Sequence, residues 1–228
     1  MCGRFAQVIK HDQLQKLLTE LKLRDSSEQI ELNYNLAPTQ VTAAIVTREN
    51  LRYLGFFRWG LIPSWSREIG KYNLINIRSD TILEKPTFKT GLSRRRCLIP
   101  ANGFYEWRQS DKAPFFIHPA EAELIFFAGI YDSWTDPDGS FIPSCSIITT
   151  EANQLMQPLH HRMPVLVLEQ DREAWLDPQN TDARDLQSLL IPAPEDYLSL
   201  YPVSRYVNSV RNNSPACLEA VSGTAEIF

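Results

Sequence analysis

The residue with the most distinctive chemistry is Cys2, because it directly follows Met1. A side chain as small as that of cysteine permits an aminopeptidase to remove Met1, which leaves a thiol and a free α-amine on one residue. Such a 1,2-aminothiol condenses with an aldehyde to an imine, and its sulfur then closes a five-membered thiazolidine. The amine has an ordinary pKa of about 7.7–8.0 and the thiol about 8.5, so both are partly reactive near neutral pH.

The residues after Cys2 bear on whether this end of the chain is ordered. Taken alone, Cys2 is better interpreted as a small residue at a fraying terminus. Gly3, Arg4 and Phe5 add a close backbone approach, a cation able to bind a phosphate and an aromatic anchor. We therefore expect the terminus to be tethered to the fold.

A second candidate lies in residues 74–80, where polar Asn76 and Arg78 alternate with apolar neighbours as on a strand. Two residues apart, these side chains would share one face. That face could meet a phosphate or a sugar. The alternative is that Asn76 satisfies the backbone of a turn while Arg78 pairs with Asp80. Without further context the alternative is favoured.

Two further groups could transfer protons. Glu106 lies between Tyr105 and Trp107 after an Asn-Gly turn signal, and burial there would raise its pKa toward a useful range. Strand alternation alone favours a solvent-facing Glu106 instead. His160 stands next to His161 before an apolar segment, where an imidazole can act as acid or base near pH 7. Adjacent strand residues diverge, so we expect one histidine of the pair to face a site.

Composition limits the possible partners. A chain of 228 residues with 43% hydrophobic residues fits one globular domain. The cysteines lie far apart and form no Cys-x-x-Cys pair, and no Glu-x-x-His accompanies the histidines. We therefore predict no metal site, no cofactor and no disulfide framework. The N-terminus lacks the features of a signal peptide and no apolar run is long enough to span a bilayer, which favours a cytoplasmic or nucleoid-associated protein.

The net charge of −4 counts against a nonspecific nucleic-acid binder. Any DNA contact would have to be a local basic patch. The strongest candidate patch is the arginine run at 94–96, supported by Arg4, Arg58, Lys89 and Arg162, although a short basic run is more often a solvated face. Taken alone, the solvated face is favoured.

The elements that position these groups are mostly strands. Leucines at 14, 17, 18 and 21 predict an amphipathic helix over 11–22. Runs of β-branched and aromatic residues predict strands at 42–47, 52–59, 97–100, 104–108, 115–118, 124–131, 144–149 and 164–168. Helical segments are predicted near 79–83, 151–156, 170–176 and 183–190, and a shaped loop at 33–39. This pattern favours an α+β fold on a sheet or barrel over a βαβ repeat.

Six motifs, taken together and in this order, resemble the SRAP (SOS-response-associated peptidase) family. They are Cys2-Gly3-Arg4-Phe5, Asn35-x-Ala37-Pro38, Trp59-Gly60-Leu61-Ile62-Pro63, Asn76-x-Arg78, Gly103-Phe104-Tyr105-Glu106-Trp107 and His160-x-Arg162-Met163-Pro164. The resemblance is strongest over residues 2–208, with 209–228 as a C-terminal tail. It implies a single SRAP-type domain over 1–228, with a strand-rich, barrel-like sheet core and peripheral helices.

The resemblance also implies a function in DNA repair and the SOS response. Abasic sites in single-stranded DNA would be captured through a thiazolidine formed by the Cys2 amine and thiol, which protects the lesion from strand cleavage. Asn76 would orient the amine or the opened sugar, Glu106 would assist proton transfer, and His160 would help to open the sugar ring. Lyase- and peptidase-type steps with the same groups would reverse the crosslink and release Met1 by self-cleavage.

The DNA contacts implied by the resemblance spread along the chain. Phosphate binding falls to Arg4, Arg78 and Arg162, with Asn35 among the DNA-binding residues. A wedge or stacking surface beside the lesion falls to Trp59, Leu61 and Pro63, while Trp107 is expected in the core. The expected partner is single-stranded DNA containing abasic sites, in a replication-fork context and bound by a monomer. The alternatives are an N-terminal-nucleophile peptidase that acts on other proteins and a noncovalent DNA-binding module, which the acidic charge disfavours.

Overall fold

The computed structural model of the chain describes residues 2–24, 29–69 and 71–221. Within these ranges the helices are α1 (His11–Glu20), α2 (Pro86–Arg94), α3 (Arg172–Leu176) and α4 (Ala183–Ser188). Short 3₁₀ helices lie at Ser79–Thr81, Glu169–Asp171, Arg205–Asn208 and Pro215–Leu218. The strands are β1 (Phe5–Gln7), β2 (Asn33–Leu36), β3 (Val41–Arg48), β4 (Leu51–Trp59), β5 (Asn76–Arg78), β6 (Arg96–Ala101), β7 (Gly103–Trp107), β8 (Pro114–Pro119), β9 (Ile125–Thr135), β10 (Phe141–Glu151), β11 (Arg162–Pro164) and β12 (Leu198–Pro202).

Five strands form a closed barrel in the order β10-β4-β3-β6-β9, because β9 also pairs with β10. The contact between β4 and β10 is short and parallel, at Arg58–Ser144 and Trp59–Cys145, and the other pairings of the ring are antiparallel. Closure pairs the strand edges that an open sheet would expose. The short strands β5 and β11 also pair with β10.

The barrel strands are buried on both faces. Along β3, Ala43 and Ile45 enter one apolar cluster, whereas Ala44 and Val46 enter another. The first cluster includes side chains of all the α-helices, among them Leu14, Leu92, Trp175 and Leu186. The second cluster also contains side chains of a second sheet, described next. Burial on both faces explains why these strands are nearly continuous apolar runs.

A second, antiparallel sheet has the strand order β12-β8-β7-β1-β2. Gln7 of β1 ties it to the barrel. This side chain is buried, and its Nε2 donates to the carbonyls of Ala43 and Pro100 at 3.0 and 2.8 Å. Its Oε1 accepts the N–H of Ala43 at 2.8 Å and the hydroxyl of Thr42 at 3.2 Å. A fully satisfied buried amide favours one placement of the two sheets.

The predicted α+β fold with a barrel-like core and peripheral helices is confirmed. The helix predicted at 11–22 and the strands predicted from 42–47 through 144–149 are present. The helix predicted at 151–156 is wrong, because residues 154–159 form turns. The loop predicted at 33–39 begins as strand β2, and α2, β1 and β12 were not predicted. None of the helices in the described ranges has the length and apolar character needed to cross a bilayer.

The strand predicted at 164–168 is displaced toward the N-terminus. Regular pairing covers Arg162–Pro164, after which Leu166 makes only an isolated bridge to Phe127. The N–H of Val165 donates to Ile148 of β10, but that of Val167 donates to Phe126 of β9. The segment is apolar because it crosses from one buried barrel strand to the next, which does not require a regular strand.

Candidate functional site

Cys2 lies just before β1, where the second sheet meets the barrel. It is fully buried in the apolar cluster that the sheets share. Its carbonyl oxygen accepts a hydrogen bond from Nδ2 of Asn76 at 2.8 Å, and the Arg4 carbonyl accepts the N–H of Tyr105 at 2.9 Å. The expected tethering is therefore confirmed from Cys2 onward. Burial raises the pKa of the Cys2 thiol and the Glu106 carboxylate raises it further, so the thiol is protonated near neutral pH.

Asn76 begins β5, opposite Ile147 of β10. Its Nδ2 binds the Cys2 carbonyl, so the side chain reaches across to a distant segment instead of capping a local turn. Its Oδ1 is buried and has no hydrogen-bond partner in the described part of the chain. Buried amide oxygens are rarely left unpaired in native folds. Asn76 therefore offers a hydrogen-bond acceptor beside the Cys2 backbone.

Glu106 lies on β7, between β1 and β8 in the second sheet. Apolar clusters cover both faces of this strand, with Phe104 entering one and Tyr105 the other. Glu106 is therefore only 6% exposed, and the solvent-facing alternative is wrong. Burial raises the pKa of the Glu106 carboxyl, whereas the N–H of Trp107 and the His161 imidazole lower it. The net rise brings its proton exchange nearer to neutral pH.

His160 precedes β11 and is half-buried, with its ring stacked on that of exposed His161 at a centroid distance of 4.3 Å. Its Nδ1 lies 2.9 Å from the backbone nitrogen and 3.2 Å from the carbonyl oxygen of Arg162; acceptance of the Arg162 N–H assigns the proton of the neutral ring to Nε2. Burial is the main cause that lowers the pKa of His160 to about 4, and His161 and Arg162 contribute. The ring is therefore neutral at physiological pH.

Two side chains anchor the turn that leads to His160. Asn153 is buried; its Oδ1 accepts the N–H three residues later at 3.1 Å, and its Nδ2 donates to the Ala193 carbonyl at 3.1 Å. The carboxylate of Glu195 accepts the two backbone N–H groups that follow Asn153, at 3.0 and 3.1 Å. These contacts fix the backbone that carries the imidazole.

Arg78 and Arg162 lie on opposite sides of β10, on β5 and β11. Arg78 is exposed and makes a two-point ion pair with Asp80, as the alternative from the sequence predicts. Arg162 is buried; its Nη2 donates to the Thr149 carbonyl at 2.6 Å and lies 3.5 Å from Oδ1 of Asp80. The hydrogen bond from Arg78 is the main cause that lowers the pKa of Asp80 to about 2. The three charges form one cluster.

Arg4 and Asn35 hold the C-terminal segment against the second sheet. Nη1 of Arg4 donates to Oδ1 of Asn35 at 2.7 Å and to the Val207 carbonyl at 3.0 Å. Nδ2 of Asn35 donates to three carbonyls, those of Val207, Ser209 and Asn212. Asn35 is 1% exposed and both its amide atoms are engaged, so its predicted DNA contact is corrected to a structural role. A phosphate contact of Arg4 stays a prediction.

The motif expected to form a wedge or stacking surface is buried. Trp59, Leu61 and Pro63 all belong to the interior. The Trp59 indole N–H donates to the Ile75 carbonyl at 3.0 Å, and its ring meets Phe5 edge-on at 4.9 Å. Trp59 ends β4 at the junction of the two sheets, which explains its burial. These positions do not support stacking of DNA bases on the motif.

An exposed aromatic side chain, Trp65, follows directly after this motif. Trp65 is 57% exposed, and its ring meets that of Tyr72 edge-on at 5.2 Å. Its indole N–H donates to Oγ1 of Thr87 at 3.0 Å. Trp65 and Tyr72 help to line a cleft of about 260 Å³, together with Pro63 and Phe88. The missed signal in the sequence is a tryptophan flanked by two serines, outside any apolar run.

Comparison with known proteins places this arrangement in a family. The model of the SOS response associated peptidase (SRAP) family matches residues 1–210. The chain belongs to the SRAP family. It is 41% identical over 231 residues to the abasic site processing protein YoqW of Bacillus subtilis, covering 96% of this chain and 100% of that protein. It is also 34% identical over 262 residues to the abasic site processing protein HMCES of Gallus gallus, covering 96% of this chain and 77% of that protein.

Solved structures share this SRAP chain's fold. A protein from Bacteroides thetaiotaomicron superposes with a TM-score of 0.84 at 26% identity, covering 97% of this chain and 100% of that one. A protein from Bordetella bronchiseptica gives a TM-score of 0.75 at 25% identity, covering 89% of this chain and 100% of that one. The barrel and the second sheet thus recur together in distant sequences.

The basic run at 94–96 of this SRAP chain is not a single surface patch. Arg94 is exposed, and Arg95 lies 3.6 Å from the carboxylate of Asp132. Arg96 is buried, and burial lowers its pKa to about 10. Its guanidinium donates at 2.6–2.9 Å to the carbonyls of Leu92, Ser93, Trp175 and Asp177. The solvated-face interpretation therefore holds for Arg94 but not for Arg96.

Trp107, expected in the core, is half-buried. Its indole N–H donates to Oδ1 of Asn208 at 2.8 Å, and Cζ of Arg4 lies 5.8 Å from its ring centroid. Within the described ranges no group of three or more His, Cys, Asp or Glu side chains could hold a metal ion.

Proposed function

We propose that this SRAP chain processes abasic sites in single-stranded DNA by covalent capture of the ring-opened sugar at Cys2. The observation that carries the proposal is the hydrogen bond from Asn76 to the Cys2 carbonyl, beside which the buried Glu106 carboxylate raises the pKa of the Cys2 thiol. The relatives YoqW and HMCES, named as abasic site processing proteins, support the substrate class.

The first step is release of Met1, which lies outside the described residues. Hydrolysis of the peptide bond before Cys2 consumes one water and yields the free α-amine. We assign this self-cleavage to the same group of side chains, with Glu106 moving the proton between water and the departing amine. Until this step occurs, the amine is tied up in an amide and cannot condense with an aldehyde.

Capture then proceeds through an imine. The Cys2 nitrogen attacks C1′ of the ring-opened sugar to give a carbinolamine, which loses water when the Glu106 carboxyl protonates the departing hydroxyl. The Cys2 sulfur adds to the resulting iminium carbon and returns its proton to Glu106. One water leaves overall and no electrons are transferred. The raised pKa values of both groups suit this exchange, because the thiol keeps its proton until it attacks.

Asn76 and His160 prepare the reacting groups. Oδ1 of Asn76, which has no partner among the described residues, can accept a hydrogen bond from the α-amine or from a sugar hydroxyl and so orient that group relative to Cys2. The neutral His160 can donate its Nε2 proton as a hydrogen bond to the sugar ring oxygen and so favour ring opening. The same groups serve reversal, which consumes the water that capture releases.

The surface around the group suits a single strand. Arg78 and Arg162 provide cations for backbone phosphates beside the site. Exposed Trp65, with half-buried Tyr72 beside it, provides an aromatic surface on which unpaired bases stack. A duplex would keep its bases paired and withhold them from these rings.

The test is incubation of Met1-processed protein with single-stranded DNA that contains one abasic site. We expect a shifted band that resists heat and detergent, with a mass equal to protein plus DNA minus one water. Cys2→Ala should abolish the band, whereas Cys145→Ala should retain it because that cysteine is buried in the barrel.

Absence of the adduct with the processed protein would overturn the proposal. An adduct that persists in Cys2→Ala would assign the linkage to another nucleophile, such as a lysine. A protein that cleaves added peptides but leaves the abasic strand unmodified would favour the peptidase alternative.

A further inference from the structure

The cluster of Arg78, Asp80 and Arg162 contains a carboxylate at the place where the two cations converge. Oδ1 of Asp80 lies 3.1 Å from Nε of Arg78 and 3.5 Å from Nη2 of Arg162. Oδ2 of Asp80 accepts a hydrogen bond from Nη2 of Arg78. A single carboxylate therefore faces both guanidinium groups.

The geometry of this contact resembles that of a bound phosphate. A guanidinium presents two parallel N–H donors that match the two oxygens of a carboxylate or two oxygens of a phosphodiester. Asp80 takes up both donors on one edge of Arg78. A phosphate on that edge and Asp80 would exclude each other.

The ion pair between Arg78 and Asp80 is also weak enough for a phosphate to replace Asp80. The side chains of Arg78 and Asp80 are 57% and 47% exposed, and ion pairs of that exposure contribute little to stability. Arg162 is held separately by the Thr149 carbonyl, and its buried Nε has no hydrogen-bond partner in the described ranges. Departure of Asp80 would therefore free Arg78 without releasing Arg162 from β10.

We propose that Asp80 competes with DNA phosphate for Arg78 and Arg162 and thereby weakens binding to undamaged strands. The inference rests on the proposed function, since it assigns the two arginines to phosphate. Its effect is on specificity. An intact strand must displace Asp80 for a reversible contact, whereas a strand with an abasic site gains a covalent bond. The acidic net charge of −4 acts in the same direction.

The test measures the dissociation constant of an undamaged single-stranded oligonucleotide, at several salt concentrations, for the wild type and Asp80→Asn. We expect about fivefold tighter binding by the variant, which is the size of one weak surface ion pair. The slope of log affinity against log salt should steepen by roughly 0.7, the value for one additional phosphate contact on a single strand. Equal or weaker binding by Asp80→Asn would overturn the proposal and assign Asp80 to orienting Arg78.

Two further variants isolate the cause. Asp111→Asn removes the carboxylate of another partly exposed Arg–Asp pair, with Arg108, and changes the net charge equally. It should leave the affinity at the wild-type value; an equal gain there would reduce the effect to net charge and contradict the proposal. Arg78→Gln combined with Asp80→Asn should lose most of the gain, and retention of the gain would exclude a competition for Arg78.

The adduct assay with abasic DNA, run on the same preparations, separates this proposal from the proposed function. Adduct formation with no change of affinity in Asp80→Asn rejects the competition alone. Failure of the wild type to form an adduct rejects covalent capture, whatever the affinity for undamaged DNA.

Discussion

Strands β9 and β10 of the barrel are 11 residues long, whereas β1, β5 and β11, which hold or flank the candidate catalytic groups, have three residues each. We call these three short strands, together with Cys2 and residues 153–161, the rim. Long strands satisfy their backbone groups along a continuous ladder. The rim depends instead on single side-chain contacts, such as that of Asn76 with Cys2 and that of Arg162 with Thr149.

This difference assigns the stability of the fold mainly to the barrel and the proposed chemistry mainly to the rim. The barrel strands contribute side chains to both large apolar clusters, on which the stability of the fold depends. The rim also buries apolar side chains such as Phe5 and Met163, but its side-chain hydrogen bonds fix the direction of each candidate group. We therefore expect substitutions in the barrel to lower the free energy of unfolding and substitutions in the rim to lower the rate of adduct formation.

The largest effect on stability is expected from Arg96→Met on β6. The substitution removes the donors of four carbonyl groups around a buried guanidinium. Lost hydrogen bonds from a charged donor should lower the free energy of unfolding by about 3 kcal/mol or more, measured by urea denaturation. The rate of adduct formation per folded molecule should not change. Arg94→Met, at the exposed neighbouring position, is the control and should stay within about 0.5 kcal/mol of the wild type.

The converse test is Glu106→Gln in the second sheet, beside the rim. Loss of the proton-transfer group should slow adduct formation about 100-fold, measured by quenched gel assays. The free energy of unfolding at pH 7 should be unchanged or higher. A carboxyl whose pKa is raised by folding stabilises the fold only when protonated, and ionisation at higher pH costs stability. Glu123→Gln, at an exposed ion pair with Lys16, should alter neither quantity; a loss of stability in Glu106→Gln would contradict this assignment of stability and chemistry.

Gln7→Leu should lower both the stability and the rate of adduct formation, because Gln7 joins β1 of the rim to the barrel. The substitution removes the hydrogen bonds of Gln7 with three buried backbone groups and the Thr42 hydroxyl, which should lower the free energy of unfolding by about 2 kcal/mol. It should also slow adduct formation, since Cys2 sits at the start of β1. Gln15→Leu, at an exposed position of α1, is the matched control. Loss of stability with an unchanged adduct rate would show that β1 is positioned without Gln7.

The smallest effect is expected from the titration of His160. Folding lowers the pKa of His160 from 6.5 to about 4, so its contribution to stability is complete above pH 6.5 and is lost as pH falls toward 4. Because the ring is partly exposed, we expect about 1 kcal/mol of this loss between pH 7.5 and pH 4.5. In His160→Gln the corresponding part of the pH dependence should disappear, whereas His11→Gln should retain it. Identical pH profiles of the wild type and His160→Gln would contradict the assignment.

The sequence predicts the barrel better than the rim for a physical reason. A strand such as β9 is long and apolar, so its own residues identify it. The short β1 has three residues and forms because β7 and β2 pair with it. Local pattern also fails for α2, whose apolar positions are sparse, and for residues 164–168, where burial without regular pairing imitates a strand.

The candidate site shows the same limit. Local sequence leaves Asn76 and Glu106 open to structural roles, because their function depends on the register of two sheets that meet at Cys2. The motif containing Trp59 misleads because tryptophan serves both core packing and base stacking, and only the strand end that carries it decides between them. The resemblance of the motif set to the SRAP family supplies the convergence that the individual residues cannot.

The hydrogen bond from Asn76 reaches the main-chain carbonyl of Cys2 and not its side chain. This contact with residue 2 is therefore independent of the atom at the γ position. Under the proposed capture, a Cys2→Ser chain would keep this contact and its amine but would lack the sulfur that closes the thiazolidine. In a cell that also contains the intact protein, such a chain would occupy abasic sites only through a reversible imine and would compete with the intact protein for them.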